Sequence, residues 1–135
     1  RCLDAGADFL TTPALDDQVA QVARDNQVAF IPGALTPTEI WTAWKAGADF
    51  VKVFPCSTSG GPAYIKALKL PFPQIPLIAS GGVTPESAAH YIHAGPIAIG
   101  VGTSLVQPRA LEKREREWIR ELAERYIRIV QAARN

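Results

Sequence analysis

The sequence has no methionine and only two cysteines, Cys2 and Cys56, in 135 residues. Two thiols make no disulfide framework, and they lack the spacing of a zinc site, so the chain reads as a reducing-compartment protein with both thiols free. An excess of charge of either sign is also missing. The formal net charge of +1 argues against a nucleic-acid or acidic-membrane partner and for a small molecule or another subunit. No run of 18 apolar residues could span a bilayer, and the opening RCLDAGADF has neither the basic n-region nor the apolar h-region of a signal peptide. These absences predict a soluble, cytoplasmic chain with no membrane partner. The missing methionine, with Arg1 first, further predicts that coding sequence lies upstream.

What is present is enough apolar content, 47%, for one core and a single domain over 1–135, or part of a larger one. Five short apolar runs stand out: 8–12 (DFLTT), 28–32 (VAFIP), 50–55 (FVKVFP), 76–80 (PLIAS) and 97–101 (IAIGV). They are continuous rather than alternating, which suits parallel strands covered on both faces. A spacing of about twenty residues leaves room for one crossover helix per unit. Thr36-Pro37-Thr38-Glu39 is a capping box with proline at the first helical position, and Thr84-Pro85-Glu86 repeats the Thr-Pro device. Gly47 and Gly95 stand where glycine ends a helix. The stretch 111–133 reads as one long amphipathic helix, with Leu111, Trp118, Leu122, Tyr126 and Ile129 on one side. Glu112/Arg116, Glu121/Arg125 and Glu124/Arg128 pair on the other. Five βα units in series give either an open doubly wound sheet or part of a (β/α)8 barrel.

Within the third run, GADFVKVFP places one ammonium group, Lys52, among Phe50, Val51, Val53 and Phe54. In a strand, Phe50, Lys52 and Phe54 share a face. One reading is a snorkelling or edge-guarding lysine. The other is an amine whose pKa is lowered by apolar walls and which attacks a carbonyl. Lys45, Lys66, Lys69 and Lys113 lie in helical or loop stretches with polar surroundings. A second constellation is Ser80-Gly81-Gly82-Val83-Thr84-Pro85, a strand end, a glycine pair and a helix start. Glycine there lets backbone N–H groups approach a phosphate, although a βα turn needs glycine for its own sake. Gly100-Val101-Gly102-Thr103-Ser104 repeats the pattern one unit later. In barrels the loops after strands seven and eight hold phosphate, so these two loops make the first strand of the chain strand four.

FIPGALTPTEIWTAWKAGADFVKVFP, SGGPAYIKALKLPFPQIPLIASGGVTPE and GVGTSLV occur in an order that resembles the C-terminal three-fifths of the 2-keto-3-deoxy-6-phosphogluconate (KDPG/KHG) aldolase family. The resemblance implies a class I aldolase with a (β/α)8 TIM barrel, here its strands four to eight. It also implies a homotrimer that uses no metal and no cofactor. Such an enzyme cleaves KDPG to pyruvate and glyceraldehyde 3-phosphate, or 4-hydroxy-2-oxoglutarate to pyruvate and glyoxylate. Residue by residue, it implies that Lys52 forms the imine with pyruvate and that Phe54 is the ring beside it. Ser80 keeps a hydroxyl near the imine where the family has threonine. Gly81 and Gly82, with Gly102 and Ser104 of the final loop, hold the substrate phosphate, and Pro13 lines the site. Val53 replaces the usual first phenylalanine of the lysine motif, and Thr103 replaces a glycine.

The family's general base, a glutamate, and its carboxylate-binding arginine and threonine come from the first barrel strands, which have no counterpart here. Glu39 and Glu86 are at helix starts, Asp8 and Asp49 precede strands, and Asp16, Asp17 and Asp25 belong to the first helix and its approaches. Cys56 with His90 or His93 is a weak nucleophile pair, because those histidines sit on a helix. Trp41 and Trp44, one turn apart, pack in the core or at a subunit contact. Two further classes stand beside the aldolase: another phosphosugar barrel enzyme, such as an epimerase or a thiamine-phosphate-synthase-like protein, and a remnant without catalysis.

Overall fold

In the computed structural model, which describes all 135 residues, the apolar runs become parallel strands. They are β1 (Phe9–Thr11), β2 (Ala29–Ile31), β3 (Gly33–Ala34), β4 (Val51–Val53), β5 (Leu77–Ser80) and β6 (Ala98–Gly100). β1 pairs with β2, and β3, β4, β5 and β6 pair in that order. β2 and β3 occupy one strand position, interrupted at Pro32 because proline has no N–H for the ladder. Hydrogen bonds continue across the interruption: Gly33 N donates to Thr12 O at 2.9 Å, and Lys52 N donates to Pro32 O at 2.9 Å. Five strand positions in chain order result, the second reaching two residues beyond the apolar run 28–32.

The crossover helices are α1 (Asp17–Asp25), α2 (Pro37–Lys45), α3 (Gly61–Lys69) and α4 (Pro85–His93). Local chemistry sets their ends. Asp16 caps α1 by accepting from the Gln18 and Val19 amides, and Thr36 with Glu39 forms the expected box on α2. On α4 the box partner is Ser87, whose hydroxyl accepts from Thr84 N at 3.0 Å. Gly47 and Gly95 follow α2 and α4 at φ +90° and +100°, the left-handed turn that glycine adopts without a Cβ penalty.

The helices cover one face of the sheet. Val51, Val53, Leu77 and Ala79 are fully buried there against Ile40, Ile65, Ala88 and Tyr91, and each buried valine or leucine contributes about 1.5–3 kcal/mol. A smaller cluster of Ala20, Ala23 and Phe30 lies under α1. Coverage of both faces, expected from the continuous runs, is not what this chain shows. On the face away from the helices Phe9 is 52% and Phe54 38% exposed.

The terminal helix also differs from expectation. It is two helices, α5 (Pro108–Glu112) and α6 (Arg116–Arg134), separated by a turn in which Arg114 has φ +55°. The apolar pattern skips from Leu111 to Trp118, so no side chain in between anchors the segment and the helix breaks there. The Glu112/Arg116 pair falls across the break, and Arg125 pairs with Glu86 at 3.6 Å rather than with Glu121. Glu124 and Arg128 do meet, at 3.7 Å. α6 packs on α4 and buries Tyr126. No helix is long and apolar enough to cross a membrane.

Candidate active site

Every loop at the C-terminal ends of these parallel strands opens on the same side, where α/β sheets and barrels place their chemistry. Lys52 is the central charged group. Because Val51 and Val53 are buried against the helices, Lys52 points to the open face, as alternation requires. Its register partners are Gly33 and Ile78. Nζ donates to Thr11 Oγ1 at 2.9 Å and lies 5.6 Å from the centre of the Phe54 ring. No carboxylate forms an ion pair with it. Burial without a counter-charge pushes the Lys52 amine below its ordinary pKa.

Lys69 shares that direction of shift, also from burial, which the polar surroundings expected for it from the sequence did not suggest. The two differ in what their protons do. Lys69 Nζ donates to the carbonyls of Phe72, Pro73 and Ile75 at 3.3, 3.0 and 2.9 Å, which ties up the ammonium and holds the loop after α3. Lys52 Nζ has one partner, the Thr11 hydroxyl, whose own proton goes to Ile31 O at 2.8 Å, so Thr11 accepts from the ammonium and leaves the other two ammonium protons free.

The two glycine loops flank this lysine on the next strands. Ser80 faces the same side as Lys52, two residues further along on β5, and its hydroxyl donates to Gly100 O at 3.3 Å. A Cβ at Gly100 would stand 2.7 Å from Ser80 Oγ, so the Ser80 side chain leaves no room for one at Gly100. Gly81 and Gly82 have φ +90° and +81°. A Cβ on Gly81 would lie 2.9 Å from Pro55 Cα, and one on Gly82 would lie 2.0 Å from Ser57 Oγ. The pair is therefore required by the turn itself. The carbonyls of Ser80 and Gly81 accept from the Cys56 and Ser57 amides at 2.8 and 3.0 Å, and the Cys56 thiol adds a contact to Gly81 O at 3.3 Å. In a trans peptide N–H and C=O point opposite ways, so the Gly81 and Gly82 amides point away from that segment. The amides of Gly81, Gly82 and Val83, and of Val101, Gly102, Thr103 and Ser104, donate to no protein acceptor. Ser104 does not offer its proton freely: its hydroxyl donates to Val83 O. Gly102 faces open space.

Pro13 lies at the other side of the mouth. Its carbonyl and the Ala14 nitrogen rest directly on Gly33, where any Cβ would overlap Pro13 O. Pro13, Gly33, Leu35, Glu39 and Phe54 line a cleft of about 340 Å³, which does not contain Lys52 or the glycine loops. Glu39 is spent on the Leu35 and Thr36 amides at 2.7 Å each, which hold its pKa low. Asp49 caps Phe30 N at 2.8 Å. Cys56 is fully buried with its pKa raised by burial, and no hydrogen bond joins it to His90 or His93. Trp44 packs against the main core, while Trp41 is 45% exposed and stacks on Phe72 at 6.2 Å. No group of three His, Cys, Asp or Glu side chains is arranged to hold a metal.

Two residues of the site escaped sequence reasoning. Thr11 stands in the quoted DFLTT run, but nothing local marks it as a partner of a residue 41 positions away. Gly33 lies in the quoted FIPGAL stretch, and only the tertiary approach of Pro13 shows what it does.

The family model "KDPG and KHG aldolase" matches residues 1–122. The chain is similar to the 2-dehydro-3-deoxy-phosphogluconate aldolase of Pseudomonas aeruginosa, 38% identical over 82% of this chain and 50% of that protein. It is similar also to the 2-dehydro-3-deoxy-6-phosphogalactonate aldolase of Escherichia coli, 43% identical over 74% of this chain and 49% of that protein. The chain thus spans about half the length of these curated relatives. Among solved structures, native KDPGal superposes with a TM-score of 0.81 at 36% identity, over 95% of this chain and 62% of the other. The parallel α/β architecture described above is therefore shared with aldolases of the TIM-barrel class.

Proposed function

Because this chain belongs to the KDPG and KHG aldolase family, we propose that it is the imine-forming portion of a class I aldolase. The observation that carries the proposal is the Lys52 amine on the open face, its pKa lowered by burial and its only protein hydrogen bond made to Thr11. Lys52 adds to the C2 ketone of a 2-keto acid, and loss of water leaves a protonated imine. When the C3–C4 bond breaks, its electron pair moves into the iminium. The C4 hydroxyl gives its proton to a base, and the aldehyde departs. Protonation of the enamine at C3 and hydrolysis then release pyruvate and the free lysine.

The substrate class proposed is a 2-keto-3-deoxy-6-phospho sugar acid, with KDPG giving pyruvate and glyceraldehyde 3-phosphate. The free amides of Gly81, Gly82 and Val83 after β5 and of Val101, Gly102, Thr103 and Ser104 after β6 supply the donors that a phosphate needs. 4-Hydroxy-2-oxoglutarate is the natural comparison substrate, because it lacks the phosphate. The homotrimer implied by the resemblance belongs to the same proposal.

A second reading has one observation in its favour. No carboxylate of the chain pairs with Lys52, and base catalysis contributes about 10²–10⁴-fold. The chain then traps pyruvate as an imine but cleaves the six-carbon substrate slowly. Incubation with pyruvate and borohydride, followed by peptide mapping, tests the main proposal. The expected result is one reduced adduct on Lys52 that is absent from Lys52→Arg. A protein without that adduct under saturating pyruvate is not a pyruvate-imine aldolase, and the phosphosugar enzymes that use no lysine become the reading to pursue.

A further inference from the structure

The carbonyl of Val83, in the loop after β5, takes two hydroxyl donors. One is Ser104 from the loop after β6, and the other is Tyr126 from α6, at 3.2 Å and 43 residues away in sequence. Val83 itself is buried, and Tyr126 is only 5% exposed. One oxygen therefore joins both glycine loops to the terminal helix. The peptide between Gly81 and Gly82 is held from the opposite side by Ser57 N and Cys56 Sγ. The short segment carrying the free amides of Gly81, Gly82 and Val83 is thus clamped at both ends. A phenylalanine would fill the space of Tyr126 equally well, so packing alone does not explain its hydroxyl, whose one hydrogen bond goes to Val83 O.

We propose that Tyr126 is a positioning residue for phosphate: through Val83 O its hydroxyl sets the spacing between the two amide-bearing loops, so that both reach one anion together. The inference rests on the reading of those loops as the phosphate subsite. It assigns the terminal helix a role in recognition of the substrate's distal end and none in chemistry at Lys52. Loss of one neutral hydrogen bond at such a clamp weakens the anion by about three- to tenfold.

The test is titration of the chain with inorganic phosphate, followed by the amide NMR signals of Gly81, Gly82, Thr103 and Ser104. Three proteins are compared: the wild type, Tyr126→Phe and Leu122→Ala. Leu122 lies on the same helix and packs against the core, so Leu122→Ala loosens α6 while leaving the Tyr126 hydroxyl and its acceptor, Val83 O, in place. The expected result is a phosphate Kd raised about three- to tenfold in Tyr126→Phe, with pyruvate still trapped on Lys52. Leu122→Ala is expected to lower the unfolding midpoint and keep the wild-type Kd. An unchanged Kd in Tyr126→Phe overturns the inference, and so does an equal weakening in Leu122→Ala, which would make the effect one of general helix packing. If wild-type amides ignore phosphate while pyruvate is still trapped, the inference and the phosphate subsite fall and the imine stands. If neither occurs, the proposed function falls too. Should Tyr126→Phe not fold, the wild type decides alone: the Tyr126 ring signals must shift with phosphate at the Kd of the loop amides, and their silence refutes the clamp.

Discussion

The contact between Gly82 and Ser57 gives a sharp test of how the loop after β5 is built. In Gly82→Ala the new Cβ would lie 2.0 Å from Ser57 Oγ and 2.6 Å from Ser57 Cβ. Turning the serine about χ1 relieves the first contact but not the second. Overpacking of this kind costs about 1–3 kcal/mol. The left-handed backbone, φ +81°, adds about 1–2 kcal/mol for any L side chain. Ser57→Gly removes both clashing atoms and leaves Ser57 Cα at 4.0 Å, an ordinary contact. By itself it costs about 0.5–1 kcal/mol in backbone entropy, and the Ser57 N–H that holds Gly81 O is kept. The double mutant should therefore recover the overpacking share, a coupling of about 1–3 kcal/mol between the sites. Urea unfolding at one fixed protein concentration reads it as shifts in midpoint at constant slope. If the two substitutions add to within about 0.5 kcal/mol, the loops do not touch as described, and the steric account of the glycine pair is wrong.

Three further expectations follow from the same contacts. Burial sets the Lys52 pKa below its ordinary 10.5, so between the folded and unfolded values the unfolded chain holds more protons. Stability then rises with pH as that window is crossed upward, and Lys52→Met should remove this part of the slope. The rate of pyruvate trapping should likewise level off at a lower pH than for an exposed lysine, and a profile matching a simple alkylamine would contradict the buried amine. Lys69→Met withdraws a donor from three carbonyls and should cost about 1 kcal/mol, a figure reduced for the partial exposure of the site; hydrogen exchange in 70–75 should quicken while trapping at Lys52 persists. Finally, β1 and β6 are unpaired sheet edges, and Phe9 and Ile97 beside them are 52% and 49% exposed, so these 135 residues should associate with rising concentration. Light scattering that shows a concentration-independent monomer with a reversible transition would refute this.

Much of the fold was legible because its signals are local. Thr36-Pro37 and Thr84-Pro85 open helices with threonine as the cap, and a glycine past the last turn ends each. A continuous apolar run of five residues between such signals reads as a buried parallel strand. Lys52 was legible for the same reason, since its neighbours two residues away assign its face. What escaped depends on register and on chain crossings. Thr11 meets Lys52 across an intervening strand, Gly33 carries Pro13, and Ser57 fills the space above Gly82. None of these contacts leaves a mark within ten residues of either partner. The break at Arg114 falls in the six charged residues between Leu111 and Trp118, but a charged stretch with good helix formers masks such a gap.

The glycine pair shows how a motif can be right for a reason other than the one that drew attention to it. Gly81 and Gly82 must be glycine because Phe54, Pro55 and Ser57 leave no room and because their φ is positive. Their identity would be the same in a loop that bound nothing, so it says nothing of phosphate. The discriminating fact is which polar groups are spent. The carbonyls of Ser80, Gly81, Val83 and Gly102 are occupied by donors from the protein, while the amides of Gly81, Gly82 and Val83 and of Val101, Gly102, Thr103 and Ser104 have no protein acceptor. The same test divides the side chains: Ser104 has given its proton to Val83 and can reach an anion only through its amide, Lys69 is tied up by three carbonyls, and the Lys52 amine has a single partner in Thr11. Free amide donors on two loops and an amine with a single side-chain partner are the features on which the proposed phosphorylated keto acid rests, with its phosphate at the amides and its carbonyl carbon at the amine.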